Sequence, residues 1–294
     1  MPSMGLYAIA VWLLCGLVTD HLWLQFACFV ISSYLMVELN NSNALIRIYS
    51  RMVSCSFIMM VCMSTFLLQS SKGMMLSICV VMSFVMAFLS YQDKYSMGRI
   101  FYSFMSIGIG SMIDVCVLFF VPVMWLAMFF HLQSMTLRTF ISSLFGLVCP
   151  YWFVAVYLIY TNDITLAVEH FSQLAVFGKV ANFSQVPVSA LVSICYITIL
   201  SVVGIIHYLR NRVFDKTRTR MFYNTFILFD IFTIAFIILQ PQHYATMLII
   251  LIVTTSPLIA HFIALTNTWI TNLAFKVIVA TALSLTIINI LQLI

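Results

Sequence analysis

Apolar residues run in blocks of 15 to 23 along almost the whole chain, broken by short polar stretches. The blocks fall at 4–19, 22–38, 52–69, 74–90, 100–114, 116–131, 140–160, 188–209, 222–239, 245–263 and 270–292. At 1.5 Å of rise per residue, about 20 residues cross a hydrocarbon core of about 30 Å. The pattern therefore predicts an all-α polytopic membrane bundle of about eleven transmembrane helices, in a single domain covering 1–294. The blocks at 4–19, 100–114 and 116–131 are short, and Asp114 separates the last two. Those two read as a candidate tight hairpin that does not cross fully. The run Gly5–Val18 lacks a basic leader and a cleavage site, so it reads as a retained first span.

One polar stretch is long enough to hold structure of its own. In 161–187, Ile164, Ala167, Val168, Phe171, Leu174 and Ala175 recur at helical spacing around Glu169, Ser172 and Gln173. This predicts an amphipathic helix in the outer membrane interface, sealing the bundle or covering a groove. Ser106 and Gly110, with Gly108 beside them, predict a close helix-packing face.

Composition agrees with the blocks. Charged residues are 7% of the chain and apolar ones 64%, a balance that a water-soluble globule of this size cannot bury. The basic residues are unevenly placed. Arg47, Arg51, Lys94, Arg99, Arg138, Arg210, Arg212, Lys216, Arg218 and Arg220 fall in alternate loops, with only Lys72 and Lys179 in the others. The positive-inside rule then predicts a cytoplasmic N-terminus and, with eleven spans, an external C-terminus. The net charge of +5 is a topology signal, and nucleic acid is not an expected partner. Membrane lipids are, along with other membrane proteins.

Candidate chemistry is sparse. Nucleotide-loop, dinucleotide, zinc-protease and serine-hydrolase motifs are absent, and no metal or cofactor is expected. All eight cysteines lie in or beside apolar blocks and read as small apolar filler. His21, His170 and His243 fall at the external ends of spans, and His131, His207 and His261 at the cytoplasmic ends. They read as lone interfacial side chains. Asp230, about nine residues into its span, is a mid-membrane carboxyl and by default a functional candidate. Lys276 lies at similar depth if the last span starts near Thr268, which predicts a pair or shared polar cavity with Asn224 and Asn272. A start near Thr271 would let Lys276 snorkel instead. The external acids Asp20, Asp114 and Asp163 are candidate catalytic residues for a lipid-linked substrate. Arg47 and Arg51, four apart and on one face if 43–52 is helical, are candidate headgroup ligands, as are Arg99, Arg210 and Arg212.

Three stretches carry a family resemblance: LNNSNALIRIYSRM at 39–52, YQDKYSMGRIFYSFMSIGIGSM at 91–112 with VPVMWLAMFF at 121–130, and TLRTFISSLFGLVCPYWF at 136–153 with YTND at 160–163. They resemble the uncharacterised multi-pass inner-membrane proteins of Bacteroidota, a domain-of-unknown-function family. The resemblance implies a many-helix fold in the bacterial inner (cytoplasmic) membrane, and points to Arg47, Arg51, Arg99 and Asp163. The middle stretch is also similar to polytopic lipid-dependent glycosyltransferases, although the long acidic first outer loop of those enzymes is here a few residues around Asp20 and His21. Three functions stand as expectations: an envelope scaffold or partner subunit, a transporter or flippase built on Asp230 and Lys276, and a lipid-linked glycosyl transferase at the outer face.

Overall fold

The computed structural model describes residues 2–178 and 180–292, and all the regular structure in them is helical. In chain order the helices are α1 (Pro2–Leu14), α2 (Trp23–Asn43), α3 (Met52–Met63), α4 (Thr65–Leu68), α5 (Ser71–Phe88), α6 (Met97–Ile113), α7 (Phe120–Ala127), α8 (Leu137–Thr161), α9 (Ile164–Ser172), α10 (Val188–Asn211), α11 (Thr217–Leu239), α12 (Tyr244–Leu265) and α13 (Trp269–Leu291). A 3-10 turn before α7 and a π-helical turn after it prolong it into one segment, Val115–Leu132. Lys179, counted among the external bases, lies outside the described residues.

Among the described residues, eight segments are long and apolar enough to cross a membrane: α2, α5, the α7 segment, α8, α10, α11, α12 and α13. The chain is an integral membrane protein. The other three expected spans are shorter helices of 13, 12 and 17 residues, α1, α3 and α6. Each is cut for a local reason. The chain turns beyond α1 at Gly16 (φ +91°). The block 52–69 breaks at Ser64 (ψ 64°) into α3 and α4. α6 stops at Asp114, whose extended backbone (φ −144°, ψ 114°) cannot continue a helix. The second arm of the expected short hairpin, at 18 residues, is one of the eight full-length segments.

The break at Ser64 exposes a buried carbonyl, and α13 supplies its partner: Asn289 Nδ2 donates to Met63 O at 2.7 Å. Asn289→Ala is expected to lower stability by about 1 kcal/mol, the scale of an interhelical hydrogen bond in a bilayer. Thermal unfolding in detergent checks this, and an unchanged midpoint would show that the bond contributes nothing.

α12 is the hub. Its residues 246–262 are all buried, and α3, α5, α10 and α11 surround it. α10 docks on it through Gly204, where a Cβ would stand 2.8 Å from the Leu258 carbonyl carbon. On the other side of α11, Phe222, Phe226 and Phe229 interlock with Phe84 and Phe88 of α5 and with Phe120 of α7. Further out, α6 lies between α5 and α8. Gly110 faces Leu76 and Cys79 of α5, and Gly108 faces Leu147 of α8. The small residues expected to form one packing face thus serve two.

Loops meet at two ends. At the end carrying the bases, Arg218 donates to Asn43 Oδ1 and the Arg47 guanidinium sits 5.7 Å above the Phe214 ring. At the opposite end, Gly178 N donates to Gln240 Oε1 and Ala181 N to Ile238 O.

Candidate functional site

A transmembrane helix that packs on all sides has no need of polar side chains. α12 nevertheless carries Thr246, Thr254, Thr255 and His261 inward, at intervals of eight and seven residues between Thr246, Thr254 and His261. By helical rise these lie about 12 Å and about 10 Å apart. Each level meets a carboxylate from a different element.

At mid-depth the carboxylate is Asp230 of α11, with no exposed surface. Ser201 of α10 donates to its Oδ2 at 2.5 Å and Thr255 to the same oxygen at 3.2 Å, while Thr254 donates to Oδ1. Three hydroxyls and no cation surround it among the described residues. Hydroxyls can either donate to a carboxylate or accept from a carboxylic acid, so this cage fits both protonation states.

At the basic end the carboxylate is Asp215, in the short loop between α10 and α11. His261 Nε2 lies 3.0 Å from its Oδ2, and both side chains are buried. His261 Nδ1 lies 3.3 Å from His207 Nδ1. With Asp215 ionised and both imidazoles neutral, His261 donates from Nε2 and accepts at Nδ1 from the Nδ1–H of His207. That leaves His207 Nε2 as an acceptor, buried and without a partner among the described residues. Tyr223 packs edge-on against His261 at 4.9 Å between ring centroids, and its hydroxyl donates to Pro257 O at 3.4 Å. Tyr223 and Asp230 are seven residues apart on α11, so the tyrosine lies between the two carboxylate sites. Beside them, a cavity of about 360 Å³ is lined by Tyr208, Arg212, Val213, Thr217, Arg220, Met221 and Asn224.

At the opposite end the carboxylate is Asp114. It accepts from Thr246 of α12 through Oδ2 and from Cys116 N through Oδ1 at 3.0 Å. Cys116 Sγ lies 3.2 Å from His243 Nδ1.

The expected pair is not formed. α13 does start near Thr268, its N-cap, whose side chain accepts from Thr271 N, yet Lys276 projects from the exposed face of that helix. Asn272 reaches only Asn267, and Asn224 accepts from Tyr208 in the cavity at the basic end. Depth along two helices does not set the facing of their side chains, and here α12 holds Asp230 while α13 lies beyond α3. The three acids expected at the outer face share no hydrogen-bonded site among the described residues. Asp20 sits exposed in the turn that follows Gly16, and Asp163 is exposed at the start of α9. Only Asp114 enters a polar site.

The arginines differ from expectation too. Residues 44–51 form a non-helical loop, so Arg47 and Arg51 share no helix face. Arg47 lies over Phe214 and Arg51 donates to Tyr49 Oη. Arg99 donates to Leu89 O and pairs with Asp93 at 3.7 Å. Arg210 and Arg212 are exposed where α10 ends.

Segment 161–187 folds as α9 and two single 3-10 turns. Between α9 and α8 lies a groove of about 270 Å³, lined by apolar residues with Tyr151 and His170. His170 anchors α9 through Ser111 O at 3.0 Å.

His207 and His261 depart from the reading as lone interfacial groups, and Cys116 from the reading as filler. The signal for His261 lay in its spacing from Thr254 on an otherwise apolar helix. Asp215 had none, being one acid among five bases. No family profile, curated protein or solved structure matches the chain.

Proposed function

We propose that the chain is a proton-linked transporter of the bacterial inner membrane, with Asp230 as its coupling carboxyl. The carrying observation is the cage around Asp230: a fully buried carboxyl held by three hydroxyls, with no cation among the described residues to fix its charge. An ionisable group at that depth is costly, and proton relays are a principal use of one. The His207–His261–Asp215 row passes a proton by exchange of ring tautomers: one arriving at His207 Nε2 releases another from Nδ1 toward His261 and Asp215. Tyr223 lies between that row and the Asp230 cage. The positive-inside rule places the row at the cytoplasmic face, the N-terminus inside and the C-terminus outside. The cavity holding Arg212 and Arg220 suits a small anion as co-transported solute.

Two observations favour this reading over the others. A scaffold should turn its small-residue faces outward, and Gly108, Gly110, Gly146 and Gly204 are consumed in contacts inside the bundle. A transferase needs converging carboxylates, and Asp20 and Asp163 lie on separate exposed turns and share no hydrogen-bond partner with Asp114 among the described residues.

Proteoliposomes loaded with a pH-sensitive dye test the proposal, using a panel of small anions. Wild-type protein is expected to move protons with at least one of them. Asp230→Asn keeps the shape of the site and is expected to lower that flux at least tenfold, roughly the effect of removing an essential proton carrier. Wild-type protein that moves no protons, or Asp230→Asn with undiminished flux, overturns the proposal.

A further inference from the structure

The geometry points to a transition-metal site at the end of the bundle opposite the bases, held by Asp114, Cys116 and His243. Its parts come from two connections. Asp114 ends α6 in extended conformation and caps the next turn through Cys116 N, which fixes the carboxylate and the thiol two residues apart on one bend. His243 closes the turn Pro241–His243 that leads into α12. The packing of α12 brings the two connections together. One ligand atom from each residue lies within 4.8 Å of the other two, and the sulfur and imidazole nitrogen are 3.2 Å apart.

The donor set selects the ion. Thiolate and imidazole favour Zn²⁺ and its neighbours over Mg²⁺ or Ca²⁺, which take oxygen ligands. Bonds of about 2.0 Å to nitrogen and oxygen and about 2.3 Å to sulfur need only a small inward movement of these side chains. Supporting contacts are present. Thr246 holds the second carboxylate oxygen, and the Gln242 side-chain amide lies 3.0 Å from His243 Nε2. Once Nδ1 binds metal, Nε2 carries the proton, and Gln242 accepts it by turning its amide oxygen inward. Three protein ligands leave a fourth position open, as in metal sites that bind an exchangeable water or substrate. The site stands apart from the proton path, and its test reads metal spectra rather than flux.

Protein in detergent, stripped with EDTA and titrated with Co²⁺, is expected to bind a single equivalent. The expected signature is thiolate-to-cobalt charge transfer in the near ultraviolet with the strong visible bands of a tetrahedral site. Zn²⁺ should bleach both. Cys116→Ser should abolish the charge transfer, and Asp114→Asn and His243→Gln should each weaken binding by about tenfold or more. If Cys116→Ser does not fold, His243→Gln carries the test, through weakened binding and shifted visible bands. A wild-type spectrum without charge transfer overturns the inference. So does charge transfer that survives Cys116→Ser, or His243→Gln with wild-type affinity.

Discussion

His261→Leu is expected to destabilise the bundle by about 3 kcal/mol, whereas Asp215→Asn changes stability by less than about 1 kcal/mol. The asymmetry follows from what each substitution leaves behind. Leucine fills most of the imidazole's volume, but it strands the Asp215 carboxylate, whose side chain is 2% exposed and whose only side-chain partner among the described residues is His261. Breaking a buried pair from one side costs about 3–5 kcal/mol. The low end applies because residues 212–216 form a connection with room to turn the carboxylate toward water. Leucine also gives up the ring contacts of His261 with Tyr208 and Tyr223. Asparagine at 215 still offers an oxygen to His261 Nε2. The double variant His261→Leu/Asp215→Leu removes both the charge and its partner, and is expected to recover at least about 1 kcal/mol of the loss. Equilibrium unfolding in mixed micelles measures the cycle. A neutral His261→Leu would show that Asp215 does not depend on the histidine.

How much of this was readable beforehand depends on the range of the interaction. Helix ends were legible where the signal is local. Thr268, one of the two starts open to the last span, caps α13 by accepting from Thr271 N, and the polar gaps between blocks mark most turns. The block 140–160 starts later than α8, which Thr136 caps in the same way through Thr139 N. The segregation of bases was legible because it is a property of whole loops. The break at Asp114 was legible too, as the acid that separates the blocks 100–114 and 116–131. The break at Ser64 was not, since the apolar block 52–69 continues through it, and hydropathy cannot separate one long helix from two short ones. Facing was the harder problem. A uniformly apolar helix gives no moment by which to orient it, so the sequence carries the depth of Asp230 but not its neighbours. The hydroxyls that hold it, Ser201, Thr254 and Thr255, are ordinary in membrane helices until three of them converge. The pairing of Cys116 with His243, across 127 residues, needs the tertiary fold.

The same dependence on close facing sets the last expectation, that Gly146→Ala detaches α8 from α6. α8 has 25 residues, and only Thr139, Ser143, Gly146 and Pro150 are buried, a stripe of small side chains and one proline. Along that stripe the helices run parallel. Ser142 donates to Met97 O, Gly146 meets Phe101, Gly108 meets Leu147, and Tyr151 Oη lies 2.7 Å from Ser111 Oγ. A Cβ at Gly146 would run into Phe101 O and stand 3.2 Å from Met105 N. All of its nearest neighbours are backbone, so no side chain can rotate away and the helices must separate. Separation loosens every contact of the stripe together, because in lipid close packing, rather than any hydrophobic force, holds such helices together. The expected loss is about 3 kcal/mol, the upper part of the range for overpacking. Gly98→Ala is the matched control: it lies in α6 with nothing within 4 Å of the added carbon. There alanine should raise stability by about 0.5 kcal/mol through helix propensity alone. Opposite shifts of the two unfolding midpoints are expected. A Gly146→Ala protein as stable as wild type would mean that α8 is held by something other than this crossing.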